Sequence, residues 1–281
     1  MPLSNTIRRL AAGALSLLAA ITASTVSGMA AEGWPERVHA VYEISFNGIR
    51  IGGFEFNSAT GASDYALSGS GKVSVLFGSF KWSGTADAKG VLGAREVKPV
   101  NFGFHLQGSA KSGTTRMIFA GDMLARIELT PQPQPKHDAI AVTPEHLRSV
   151  LDPLSAVMAI TRGGPNPCSR RVPVHDGQRR LDIVMSPRGQ VPLAIARPAD
   201  QPTTGHVCRL TYRLIAGHRP GDENTYMTRN QNIEMILRPI PSANVYVPYE
   251  ISAATLLGRI RIFARTVSLR KGGHYDIALS H

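Results

Sequence analysis

Residues able to do chemistry are few in this chain, and their spacing assigns most of them to structure. His175-Asp176-Gly177 sets a base beside an acid. Neighbours in a strand point to opposite faces, so the two cannot orient one another, and Asp-Gly is turn chemistry. His137-Asp138, Asp152 and Ser155 supply the members of a serine triad on paper. No G-x-S-x-G elbow accompanies them, and Asp152 ahead of Pro153 reads as a helix cap. The nine histidines lack the spacing of a zinc motif, and His206, His218 and His274 sit near glycines in loops. Gly217-His218-Arg219-Pro220-Gly221 is too short for a phosphate loop and lacks its Lys-Ser/Thr. The sequence therefore assigns no catalytic residue, no metal ligand and no cofactor.

Two other sets carry more information. Cys168 and Cys208 are the only cysteines. They are not a C-x-x-C pair and lack the companions of a zinc site, so in an oxidising compartment they are expected to form a structural disulfide. Closing that loop is worth roughly 3–4 kcal/mol on the chain-entropy model. The second set is aromatic: Phe46, Phe54, Phe56, Phe80, Trp82, Phe102 and Phe104 fall on alternating strand positions. On a curling sheet they would make a concave apolar surface able to hold an acyl chain or a lipidated partner. The plain alternative is ordinary core.

The elements that position these residues follow a period of two. Tyr42, Ile44 and Phe46 lead to Asn47-Gly48, a type I′ hairpin signal. Ile49, Ile51, Phe54 and Phe56 run on through Gly52-Gly53, which suggests a bulge. Tyr65 and Leu67 read as one strand and Val73 to Phe77 as the next, followed by strands around Phe80–Trp82 and Phe102–Leu106. Gly121-Asp122 and Asp176-Gly177 mark further hairpins. Pro131 to Pro135 interrupts the meander. Thr143-Pro144-Glu145 then signals a helix start, and Leu147, Val150, Leu151, Leu154, Val157 and Met158 recur at helical spacing up to Gly163-Gly164-Pro165. Strands resume from Arg171 to Val267. Tyr42-Glu43-Ile44-Ser45 has an echo in Tyr249-Glu250-Ile251-Ser252. The expected fold is mainly β: an antiparallel sheet curled into an open or spiral barrel, with the helical segment of residues 143–162 packed on it.

The order of several segments resembles an envelope family, domain of unknown function 3108. They are Tyr42-Glu43-Ile44 with Asn47-Gly48-Ile49 and Ile51-Gly52, then Val150-Leu151-Asp152-Pro153-Leu154-Ser155-Ala156. Val172-Pro173-Val174-His175-Asp176-Gly177 and Val247-Pro248-Tyr249 before Leu257-Gly258 complete the series. The resemblance implies a secreted β-rich protein with no assigned chemistry, so it transfers no catalytic residue.

Arg8 and Arg9, the apolar run Leu10 to Ile21, and small residues up to Ala30 read as a signal peptide over residues 1–30. Its core is shorter than the roughly 20 residues that span a bilayer. Residues 31–281 are then one exported domain, expected in the periplasm without a transmembrane anchor. The formal charge is +11, near +9 without Arg8 and Arg9. An exported basic protein meets lipid headgroups or acidic envelope polymers rather than nucleic acid. The functional expectation is a non-enzymatic protein supporting the cell envelope, with a lipid-like or polyanionic ligand. The alternatives are an envelope hydrolase and a scaffold for another envelope protein.

Overall fold

The computed structural model describes residues 33–75, 78–93, 96–134, 137–194, 202–222, 226–230, 232–271 and 275–280. The leader expected over residues 1–30 lies outside the described residues, as do Phe77 and His274. Among the described residues the first run of strands is β1 Arg37–Phe46, β2 Ile49–Thr60, β3 Asp64–Val75, β4 Phe80–Leu92, β5 Val97–Gly108, β6 Gly113–Ala120 and β7 Met123–Thr130. Helix α1, Pro153–Thr161, follows. The second run is β8 Arg170–His175, β9 Arg180–Pro192, β10 Thr204–Ala216, β11 Ile233–Ile240, β12 Val245–Thr255, β13 Gly258–Lys271 and β14 Tyr275–Ser280. A single helical turn, α2 Tyr226–Arg229, precedes β11.

All neighbours pair antiparallel, in the order β7-β6-β5-β4-β3-β2-β1-β13-β12-β11-β10-β9-β8, with β14 also on β13. The first strand therefore joins two meanders by pairing with both β2 and β13. Asn47 and Gly48 both take positive φ, as the type I′ reading requires.

The sheet is open, since its end strands β7 and β8 do not pair. The stretch Arg148–Leu151 sutures the gap. Ser149 donates to the Asp122 carbonyl at 2.7 Å, just before β7, and Leu151 donates to Pro173 of β8 at 2.9 Å. His175 returns a bond to the Leu151 carbonyl at 2.9 Å. This corrects one expectation. The helical spacing of Leu147, Val150 and Leu151 does not make a helix: Pro144–Leu147 is a short 3-10 turn, and the chain that follows, extended at Arg148 and left-handed at Ser149, leaves the helix to bond both sheet edges. A second correction joins Tyr65, Leu67 and Val73 in one strand, β3.

α1 plugs the interior. The Asp152 carboxylate caps it, accepting from Leu154 N at 2.9 Å and Ser155 N at 3.0 Å, and Pro153 takes the first turn. The far end is held by Arg170, which donates to the carbonyls of Ala159 and Ile160 at 2.8 Å and of Arg162 at 2.5 Å. A cation there complements the helix dipole. Leu154 and Met158 pack with Phe56, Tyr65, Phe102 and Met117. Ala156 and Ile160 pack with Val174, Leu181 and Leu237.

The two echoed tetrapeptides flank β13 in the same register. Glu43 and Glu250 both oppose Phe263, Ile44 and Ile251 both oppose Ile262, and Ser45 and Ser252 both oppose Arg261.

Candidate functional site

A cavity of about 380 Å³ lies between α1 and the inner faces of β1, β2, β12 and β13. That volume is within the range of roughly 300–1,000 Å³ of ligand pockets. Alternation builds its walls. Val38, Ala40, Tyr42 and Ile44 contribute from β1, and Ile262, Val267 and Leu269 from β13. Val157, Met158 and Ile160 of α1 close one side. From Val38 to Ile44 the lining runs roughly 20 Å at about 3.3 Å per strand residue.

The lining is apolar and carries no charged side chain. Two of its hydroxyls are turned to the backbone: Thr60 donates to Pro35 O at 2.8 Å, and Thr161 to Val157 O at 2.9 Å. Burial pushes the Tyr42 phenol up, so it stays neutral. Such a wall offers little to a water cluster, which needs two to four polar partners per molecule. Ile44, Phe54, Trp82, Ile251 and Ile262 line the cavity yet remain half-buried, so solvent reaches this end of it.

The aromatic set expected to form one surface divides into three. Phe54, Phe56 and Trp82 line the cavity. Phe102 and Phe104 belong to the core beside it, under Leu154. Phe46 and Phe80 stand at strand ends outside the cavity, half-buried and exposed respectively. The division follows from strand length, since the curled sheet covers its middle rows and leaves its end rows open. Small residues make room for the large ones. A Cβ on Gly71 would meet Trp82 at 3.3 Å and Phe54 at 3.4 Å, and one on Gly84 would meet Phe104 and Trp82 at 3.1 Å. The sequence reading missed the other wall: Met235, Val245, Val247, Ile251, Ile262 and Val267. Their alternation was visible, but only the pairing of β1 with β13 brings them opposite Phe54 and Phe56.

The groups weighed for chemistry are held elsewhere. Asp152, Ser155 and Tyr65 form a buried chain, with Ser155 Oγ donating to Asp152 Oδ2 at 2.5 Å and 2.7 Å from the Tyr65 hydroxyl. Burial raises the Asp152 carboxyl to about 6 despite the bonds it accepts. His137 lies on an exposed loop, and neighbouring Asp138 pairs with Arg219 at 3.1 Å. His175 and Asp176 serve the β8–β9 turn. His175 Nδ1 accepts from Gly177 N at 3.0 Å, and Asp176 Oδ1 accepts from Gln178 N at 2.9 Å and Arg179 N at 2.7 Å. Desolvation lowers His175 to about 4, keeping it neutral. His206 stacks edge-on against Tyr246, with ring centroids 5.6 Å apart. Among the described residues no group of three His, Cys, Asp or Glu is placed to hold a metal, and no helix is long and apolar enough to cross a membrane.

The arginine pairs are also committed. Arg171 and Arg180 both reach fully buried Asp182, at 2.5 and 2.7 Å. Arg179 pairs with Asp176 at 3.1 Å, and Arg261 with Glu250 at 2.6 Å. Fully buried Arg238 donates to Pro202 O at 2.9 Å and Ala194 O at 2.8 Å, fixing both ends of a loop. Cys168 and Cys208 bring their sulfurs to 1.98 Å, within bonding distance.

Residues 41–265 match the family described as "Protein of unknown function (DUF3108)". The chain belongs to that family. A search of curated proteins returns no match. Among solved structures, the chain is similar to a beta-barrel-like protein of domain of unknown function DUF1849 from Brucella abortus. That likeness has a TM-score of 0.48 and 8% identity, and covers 85% of this chain and 99% of that one.

Proposed function

We propose that this protein binds a lipid-like ligand, with an acyl chain seated in the cavity beneath α1, and that it does so as an exported, non-catalytic component of the cell envelope. The observation that carries the reading is the cavity itself: about 380 Å³, walled by Phe54, Trp82, Met158 and Ile262, without a charged group. Its length of roughly 20 Å accepts one acyl chain, which spans half of a hydrocarbon core about 30 Å thick. The hydrolase alternative depends on Ser155, which is fully buried and hydrogen-bonded to Asp152 and Tyr65. No observation favours it.

The test is displacement of a fluorescent fatty acid, alongside native mass spectrometry of protein purified from its own host. Wild type should retain a lipid-mass adduct and release the probe to competitor. Ile262→Trp should fill the cavity, weaken probe binding at least tenfold and leave circular dichroism unchanged. Wild-type protein that carries no adduct and binds no probe overturns the proposal.

A further inference from the structure

Three hairpins end at the same end of the sheet, and exposed apolar residues stand at or beside their turns. Leu256 and Leu257 at the β12–β13 turn are 82% and 84% exposed, Ile49 after the β1–β2 turn 71%, and Phe80 at the start of β4 44%. The first two turns are tied together. Asn47 donates from its side chain to Leu257 O at 3.3 Å and accepts from Arg259 N at 2.8 Å. Phe80 pairs with Val75 of β3, and β3 pairs with β2, so Phe80 lies two strand spacings, roughly 10 Å, from β2.

These tips continue the cavity wall. Ile44, Ile251 and Ile262 line the cavity and share one row across β1, β12 and β13. Two residues further along the same face, Phe46, Ile49, Ile260 and Ala253 form the next row. Beyond it come Leu256 and Leu257. A mainly apolar track thus runs from the interior toward the exposed tips, with Thr255 and Gly258 between the last row and the leucines and the Thr255 hydroxyl turned to Gly258 O.

Cations stand behind the tips. Arg50, Lys72 and Lys81 line a groove on the outer face of β2, β3 and β4, and Arg259 and Lys111 are exposed on the adjoining strand and turn. The acids beside them are Glu43, Glu55 and Glu250; Glu250 is held by Arg261 at 2.6 Å, and Glu43 stands 3.8 Å from Arg50, which is itself 72% exposed. Apolar residues that project furthest, backed by cations, are the chemistry of an anionic bilayer surface: side chains enter the headgroup region while the cations meet phosphate. A protein partner would also accept exposed leucines. The excess of positive charge, +11 less the two of Arg8 and Arg9 in the expected leader, favours the lipid surface.

We infer that this end of the barrel docks on anionic membranes, with Leu256, Leu257, Ile49 and Phe80 entering the interface and Arg50, Lys72 and Lys81 meeting headgroups. The inference goes beyond ligand binding in the cavity, and vesicle binding can be measured whether or not the cavity holds a lipid.

Purified protein comprising residues 31–281 should co-sediment with vesicles containing phosphatidylglycerol and much less with pure phosphatidylcholine. Raising salt should weaken binding as screening shortens the Debye length. L256D/L257D should weaken it at least tenfold, because each leucine contributes through its buried apolar area. K72E/K81E should weaken binding to anionic vesicles and remove most of the salt dependence. All of these positions are exposed, so melting temperatures should stay at the wild-type value. Wild type that ignores anionic vesicles overturns the inference, as does L256D/L257D binding that matches wild type. Recovery of a stoichiometric envelope protein by Leu256 and Leu257 without vesicle binding would likewise overturn it.

Discussion

From β1 outward to β7 the sheet is held by alternation, while from β13 back to β8 it is held by individual locks. β2 pairs with β3, and β3 with β4, without a register shift, while the β1–β2, β4–β5 and β6–β7 pairs each shift once, at Ile44/Ser45, Lys89/Gly90 and Ile118/Phe119. Their inner face combines Gly69, Gly71, Gly84 and Ala86 with Phe54, Trp82 and Phe104 laid over them. The other meander shifts register between Val207 and Cys208, between Leu214 and Ala216, and between Ile236 and Leu237. There the chain adds the cysteine pair, the Arg170 cap on α1, the Arg171–Asp182–Arg180 cluster and Arg238. A regular alternating strand specifies its own register, because a one-residue slip turns every side chain to the wrong face. Both meanders also bend at bulges, and the second adds its fixed points to them. The cavity lies where the wall of aromatic rings over small residues faces the pinned one.

The largest test of this contrast is C168S/C208S. A bridge across 40 residues should contribute about 4 kcal/mol, lowering the melting temperature by roughly 10 °C for a domain this size. A shift under about 3 °C would remove the disulfide from the list of fixed points. Asp152→Ala comes next. It deletes the α1 cap and leaves the buried Ser155 hydroxyl without its acceptor, together worth about 3 kcal/mol. Urea denaturation should show this as a lower midpoint at unchanged slope. On the aromatic wall, Gly84→Val should cost about 2 kcal/mol through overpacking, since Phe104 and Trp82 already stand 3.1 Å from its Cβ position. A neutral result would mean that the aromatic layer is loose enough to re-form around a ligand.

The smallest effect is in pH. Asp152 has a folded-state value of about 6, raised from 3.8 by burial. Its contribution is fully present below about pH 4 and is lost as pH rises through 6. His175, lowered from 6.5 to about 4, contributes fully above pH 6.5 and loses that contribution as pH falls through 4. Between those limits the two oppose, so wild-type stability should change little from this pair. His175→Gln should expose a stability that falls as pH rises from 4 to 6. Asp152→Asn should expose the reverse slope. A wild-type profile steeper than both variants would show that other groups dominate.

Much of this was legible in the sequence because turn chemistry is local. Asn47-Gly48, Gly121-Asp122 and Asp176-Gly177 all mark hairpins, and Asp152-Pro153 marks the start of α1. β4 beyond Trp82 was missed because its inward residues are Gly84, Ala86 and Ala88, which carry almost no hydrophobic period. β3 was split in two because Gly69 and Gly71 look like punctuation, whereas they are floor for Phe54 and Trp82. Arg148–Leu151 was read as helix because Leu147, Val150 and Leu151 have helical spacing, and only the two distant sheet edges decide otherwise. Of the cavity, Phe54, Phe56, Trp82 and Met158 could be named in advance. The residues of β11, β12 and β13 could not be set opposite them without knowing that β1 pairs with β13.

That pairing also dictates an order of events during synthesis. Arg37 meets Arg270 and Ala40 meets Val267, so β1 has its second partner only when nearly the whole chain exists. The β1–β7 meander uses neighbouring contacts and can form early. Until β13 arrives it carries an open, apolar edge, a template for pairing with another chain. High separation between partners slows folding and lengthens that exposure. Newly made protein should therefore be at its most aggregation-prone with the first meander formed and the second still absent. A chain truncated after β7 should self-associate, whereas the full-length protein should not.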